Sequence, residues 1–80
     1  MKITPFPDQI LVEPIKDKGI LEEVACSYGT VTAIGKNVKN VSVGQVIGYS
    51  RYGLKFLEIE GKEAVFIHKD SDFLLGYIEL

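Results

Sequence analysis

Apolar positions come in short runs of Val, Ile, Tyr and Phe, interrupted by Gly19, Gly29, Gly35, Gly44, Gly48, Gly53, Gly61 and Gly76. This is the spacing of strands and turns. Gln9-Ile10-Leu11-Val12-Glu13 predicts a first strand, fenced by Pro5 and Pro7 before it and closed by Pro14, which has no N–H to extend a ladder. Between Gly29 and Gly35, Val31 and Ala33 alternate with Thr30, Thr32 and Ile34, a half-buried strand with Val31 and Ala33 toward the core. The polar stretch Lys36-Asn37-Val38-Lys39-Asn40 predicts a surface connection, and Val43 to Tyr49 a turn and another strand. Leu54 to Ile59 and Glu63 to Ile67 flank Glu60-Gly61-Lys62, a hairpin with glycine where positive φ is needed. Lys69-Asp70-Ser71-Asp72 suits a polar turn or a single helical turn capped by Asp70 or Ser71, and Phe73 to Leu80 a closing strand. No stretch sustains a 3.6-residue period. The expectation is an all-β chain, a small barrel or two packed sheets.

Size then changes the picture. Eighty residues with 46% hydrophobic content make one domain, residues 1–80, near the lower limit for folding alone. A single core of this size rarely supplies more than ~3–5 kcal/mol, so a staple is expected. Cys26 is the only cysteine, which excludes an internal disulfide or a thiolate-rich zinc site within one chain. Oligomerisation is the staple left. A lone thiol suits a reducing, cytoplasmic setting. The opening Met1-Lys2-Ile3-Thr4-Pro5 is no signal peptide, and no run approaches the ~18 apolar residues of a membrane span. With net charge -2 and lysines interspersed among acids, the chain lacks the basic patch that nucleic acid binding requires.

Candidate chemistry is sparse. Cys26 and His68 are single representatives of their types, and no local signature marks them as nucleophile and base. His68 reads best as a strand-end residue. Glu22-Glu23 lacks the further oxygen ligands of a cation cage, and the glycines form neither a Walker loop nor Gly-x-Gly-x-x-Gly. Tyr28, Tyr49, Tyr52 and Tyr77 lie on separate predicted elements, which favours packing over a base-stacking platform. Neither an enzyme nor a cofactor or metal site is expected.

The order of the pieces carries more information. Met1 to Val12, with Asp8 followed by Gln9-Ile10-Leu11-Val12, resembles the opening of the GroES co-chaperonin family, an arm, a proline and then Asp-Arg-Val-Leu-Val; Gln9 stands where the arginine is usual. Gly29-Thr30-Val31-Thr32-Ala33-Ile34-Gly35 resembles the family's Gly-x-Val-x-Ala-Val-Gly strand, and Val41-Ser42-Val43-Gly44-Gln45-Val46-Ile47 its Val-x-Val-Gly-Asp-x-Val segment. Arg51-Tyr52-Gly53, the Glu60-Gly61-Lys62 hairpin and Lys69 to Glu79 continue the match to the chain's end. The resemblance implies a small GroES-like β-barrel and a homo-oligomer, a heptameric ring in which the N-terminal strand of one subunit pairs with the C-terminal strand of its neighbour. Met1, Lys2, Ile3, Leu75, Tyr77, Ile78 and Leu80 would then line the subunit interface. That pairing would also cover apolar edges that a marginal domain otherwise exposes.

Two departures shape the functional expectation. Family members carry a long mobile loop after the first strand, with a Gly-Ile-Val-Leu type anchor for the large chaperonin. Here Ile15 to Val24 is all that occupies the region, and Gly19-Ile20-Leu21 resembles the anchor with Glu22 in place of its last apolar residue. Each missing residue shortens the reach by at most ~3.3–3.6 Å. The hairpin that roofs the family's ring is nearly absent between Gly35 and Val41. The resemblance implies a cap for a nucleotide-bound large chaperonin, docked through Gly19, Ile20 and Leu21. The alternatives are an oligomeric structural or adaptor barrel without chaperonin binding and, for Ile20-Leu21, a buried barrel corner.

Overall fold

A computed structural model describes residues 3–15, 26–50 and 56–79. Its six strands are β1 (Gln9–Pro14), β2 (Cys26–Ile34), β3 (Val46–Ser50), β4 (Phe56–Ile59), β5 (Lys62–His68) and β6 (Leu74–Ile78). They form one antiparallel sheet in the order β4-β5-β1-β2-β3-β6. In one flat sheet the Cα atoms alternate closely about a single plane, whereas those here extend 34 × 27 × 25 Å. The sheet is therefore strongly coiled, and its inner face closes over one core: Ile10 and Val12 of β1, Val31 of β2, Ile47 and Tyr49 of β3, and Val65 and Ile67 of β5. Each full burial of such a side chain stabilises by about 1.5–3 kcal/mol before entropy is counted.

Two sequence expectations are corrected. Val31 faces the core, but Ala33 does not: Leu11 pairs with Ala33 and Val12 with Val31, which leaves Thr32 unopposed in a β-bulge. The extra residue reverses the alternation. Ala33 goes to the outer face with Leu11, and Ile34 packs on the core instead. The 36–40 connection is not merely superficial. Val38 and Val41 are buried members of the core, and Asn37 and Asn40 tie the segment down by Asn37 Nδ2 to Asp8 Oδ1 (2.9 Å) and Asn40 Nδ2 to the Lys69 carbonyl (3.0 Å). At residues 69–73 the expected polar turn is what forms, without a helical turn. The Ser71 hydroxyl accepts the Phe73 N–H at 3.0 Å, a local bond that stabilises a turn in place of a helix start.

The hairpins follow their turn chemistry. Ile59 pairs with Lys62 across Glu60 (φ 51) and Gly61 (φ 80), the two positive φ values of a type I′ turn. Gly44 (φ 95) occupies the third position of a turn whose Gln45 N–H donates to Ser42 O at 3.1 Å, as a type II turn requires. At Gly35 the constraint is space: a Cβ there would overlap the carbonyl oxygens of Phe6 and Pro7.

Candidate assembly and docking surfaces

The side of β6 away from β3, where no strand pairs among the described residues, is the first candidate surface. β6 pairs with β3 from Val46↔Ile78 to Tyr49↔Leu74, and its other side ends the sheet. Leu75 is left unopposed between the Gly48↔Gly76 and Tyr49↔Leu74 pairs, a bulge that turns a side chain outward. Leu75 is 56% exposed and Tyr77 62%, while Ile78 is half-buried. The Tyr77 hydroxyl donates to the Asn40 carbonyl, which fixes the ring over the end of the sheet. Between them lies a hollow of about 180 Å³ lined chiefly by Val41, Ile47, Leu74, Leu75 and Tyr77.

The N-terminal arm is the second. Residues 3–6 belong to no strand. Pro5 is buried and Ile3 half-buried, the latter against the outer face of the sheet in a cleft with Leu11, Ala33, Ile59 and Ala64. Phe6 points away and is 81% exposed, the most exposed of the large apolar side chains described. Of the residues expected at a subunit interface, Ile3 is thus set apart from Leu75, Tyr77 and Ile78; Met1, Lys2 and Leu80 lie outside the described residues. Two separate patches are what a head-to-tail contact needs, because each subunit must present both halves. Phe6 did not stand out in the sequence. Its signal was a large aromatic held between Pro5 and Pro7, a place where a side chain cannot enter the interior of a sheet.

Gly19-Ile20-Leu21 also lies outside the described residues, but its frame is defined. Pro14 pairs with Gly29, and the Ile15 N–H donates to Tyr28 O at 3.0 Å, so the chain leaves β1 and enters β2 side by side. Successive strand N–H groups point to opposite sides. Position 14 therefore faces β5, whose pairing with β1 stops at Val12↔Val65. Proline costs no hydrogen bond there.

The register also separates the two residues with nucleophile and base chemistry. His68 pairs with Gln9, next to the Ile10↔Ile34 end of β2, while Cys26 opens the same strand opposite Ser50. Nine residues of strand at about 3.3 Å each put them roughly 25 Å apart along the sheet, well beyond hydrogen-bond reach. His68 Nδ1 instead accepts the Asp70 N–H at 3.1 Å, within its own turn. Among the described residues, no group of three or more His, Cys, Asp or Glu side chains could hold a metal ion. No helix among them is long and apolar enough to cross a membrane. Comparison with protein-family models and with curated proteins finds no match to this chain.

Proposed function

We propose that the chain is a co-chaperonin of the GroES kind, a small barrel that forms a ring and caps a large chaperonin to assist folding. The observation that carries the reading is a strand that ends the sheet with exposed apolar side chains, together with an arm outside every strand. β6 ends the sheet with Leu75 and Tyr77 exposed, and the arm at residues 3–6 lies outside every strand. Addition of one subunit's arm to the next subunit's β6 would satisfy the open backbone groups of both.

Docking to the chaperonin falls to Gly19-Ile20-Leu21, which lie in sequence between β1 and β2. Burying Ile20 and Leu21 in an apolar groove contributes about 1.5–3 kcal/mol each, much of it offset by ordering and lost rigid-body freedom. One site binds weakly. A ring presents several together, and effective concentration turns weak contacts into avidity. The partner binds the nucleotide; this chain needs no cofactor.

The test is native mass by light scattering on a sizing column, alone and with a large chaperonin plus nucleotide. A ring that co-elutes only with nucleotide is expected, and Ile20→Ser should abolish co-elution while the circular dichroism spectrum is unchanged. A ring that never associates would make the chain an adaptor. If Ile20→Ser unfolds the protein, Ile20 is a core corner and the anchor assignment fails.

A further inference from the structure

Two outward-facing side chains of the sheet are covered. Leu11 points to the outer face, as does Ala64, whose neighbour Val65 belongs to the core. Yet Leu11 is only 7% exposed and Ala64 9%, and a residue on the outer face of an antiparallel sheet loses water only where something lies over it. Both line a cleft of about 380 Å³ with Ala33, Ile59 and Ile3. Of its described lining residues, Ile3 is the one that belongs to neither a strand nor a turn between strands, so the arm is folded back over its own sheet. We propose that this seat is a latch: Ile3 held on its own sheet keeps the arm from serving as a subunit contact, and self-association requires its release. The inference rests on the ring reading above and adds to it the step that controls assembly.

Three observations make the seat a competitor of assembly. The first is position. The described lining residues come from β1, β2, β4, β5 and the β4–β5 turn besides Ile3, and none from β3 or β6, so Ile3 is held over the half of the sheet away from the exposed Leu75 and Tyr77. The second is a hinge. The base of the arm is fixed where the Asn37 N–H donates to Pro7 O at 2.9 Å and where Gly35 lies beneath the Phe6 and Pro7 carbonyls. Ile3 and Thr4 make no backbone hydrogen bond among the described residues, so the tip can leave without breaking the ladder of the sheet. The third is strength. Ile3 is half-buried, which makes the seat a weak one: the released form stays populated, and the apparent affinity between copies falls by the fraction released. Such a latch leaves assembly possible while restraining a head-to-tail contact that could otherwise propagate without closing.

The test locks and loosens the latch in the full-length chain. Ile3→Cys/Ala33→Cys, with Cys26→Ser to leave only the designed thiols, is joined within the dissociated chain by a short bis-maleimide and compared, by sedimentation velocity over a concentration series, with the same chain whose thiols are capped singly. The linked chain should associate about tenfold more weakly or less still, because its released fraction is removed. Conversely, Ile59→Ala takes away one wall of the seat at a place remote from β6, and it should tighten self-association about fivefold, the lower end of a typical coupling between competing states. Linked and capped chains that associate alike, or a folded Ile59→Ala chain that associates no more tightly than wild type, would overturn the latch and leave the ring standing. If Ile59→Ala fails to fold, the linked and capped pair decides alone. A chain monomeric at every concentration in all of these forms would overturn the ring, and the latch with it.

Discussion

The two ends of the sheet are built differently. β4 is short, Phe56–Ile59, and carries Glu58 with Glu60, Lys62 and Glu63 following in and just beyond its hairpin turn. Charge on a short terminal strand is a common guard against pairing with another chain. β6, Leu74–Ile78, has one such guard, the bulge at Leu75, and no charge within the strand; Asp72 and Glu79 stand outside it. One edge is closed to partners and the other left available. In a chain too small for a large core, the ring proposed above would draw its additional stabilisation from the available edge.

The largest expected effect lies where the arm crosses the sheet. Gly35→Ala puts a methyl group into the Phe6 and Pro7 carbonyl oxygens, backbone that cannot rotate aside. A loss of about 3 kcal/mol is expected, at the upper end for overpacking, or a midpoint lower by roughly 15 °C in a thermal melt. Assembly should fall with it, because the arm is displaced. A melt within a degree of wild type would show that the arm is not held against β2.

Charging the open edge should separate assembly from stability. Leu75→Lys leaves a side chain that is already 56% exposed on the surface, so the unfolding free energy of the dissociated chain should move by less than about 0.5 kcal/mol. Self-association should weaken at least tenfold, read by sedimentation, since lysine is a typical edge guard. The same change on β4, Leu57→Lys, where Leu57 is 50% exposed, should leave association untouched. Equal effects at both positions would erase the contrast between the edges.

How much of this was legible beforehand follows from particular residues. A short apolar run between flanking prolines located β1, and Gly61 located the β4–β5 turn. Ala33 was misassigned because a bulge has no signature in a single sequence; the alternation through Thr32 looked regular until the register showed one residue unopposed. Val38 and Val41 sit among polar residues, and their burial in the core is a tertiary contact that no local pattern marks. The apolar chain end containing Leu75 and Tyr77 was readable as an edge in need of cover. The hollow beside it was not, since Val41 and Ile47 reach it from elsewhere in the chain.

The hairpin that guards β4 offers a smaller, stabilising change. Glu60 holds φ 51, a conformation that costs an L-residue about 1–2 kcal/mol and that asparagine tolerates better. Glu60→Asn should raise stability by about 0.5–1 kcal/mol, or a few degrees in a melt. Association should be unaffected, because the turn lies at the edge of the sheet remote from β6.

The smallest effect concerns the guard itself. Glu58 lies directly opposite Glu63, and both are exposed; like charges facing each other across a strand pair are destabilising. Glu58→Lys replaces the repulsion with an opposite-charge pair and keeps the edge charged, so it should gain about 0.5 kcal/mol while leaving association unchanged. Glu58→Thr removes the repulsion as well but also removes the guard, and it should gain a similar amount while promoting slow self-association through β4. Both stability gains should shrink near 1 M salt, where the screening length is about 3 Å. If Glu58→Thr remains as soluble and monodisperse as Glu58→Lys at millimolar concentration, charge on β4 is not what keeps that edge closed.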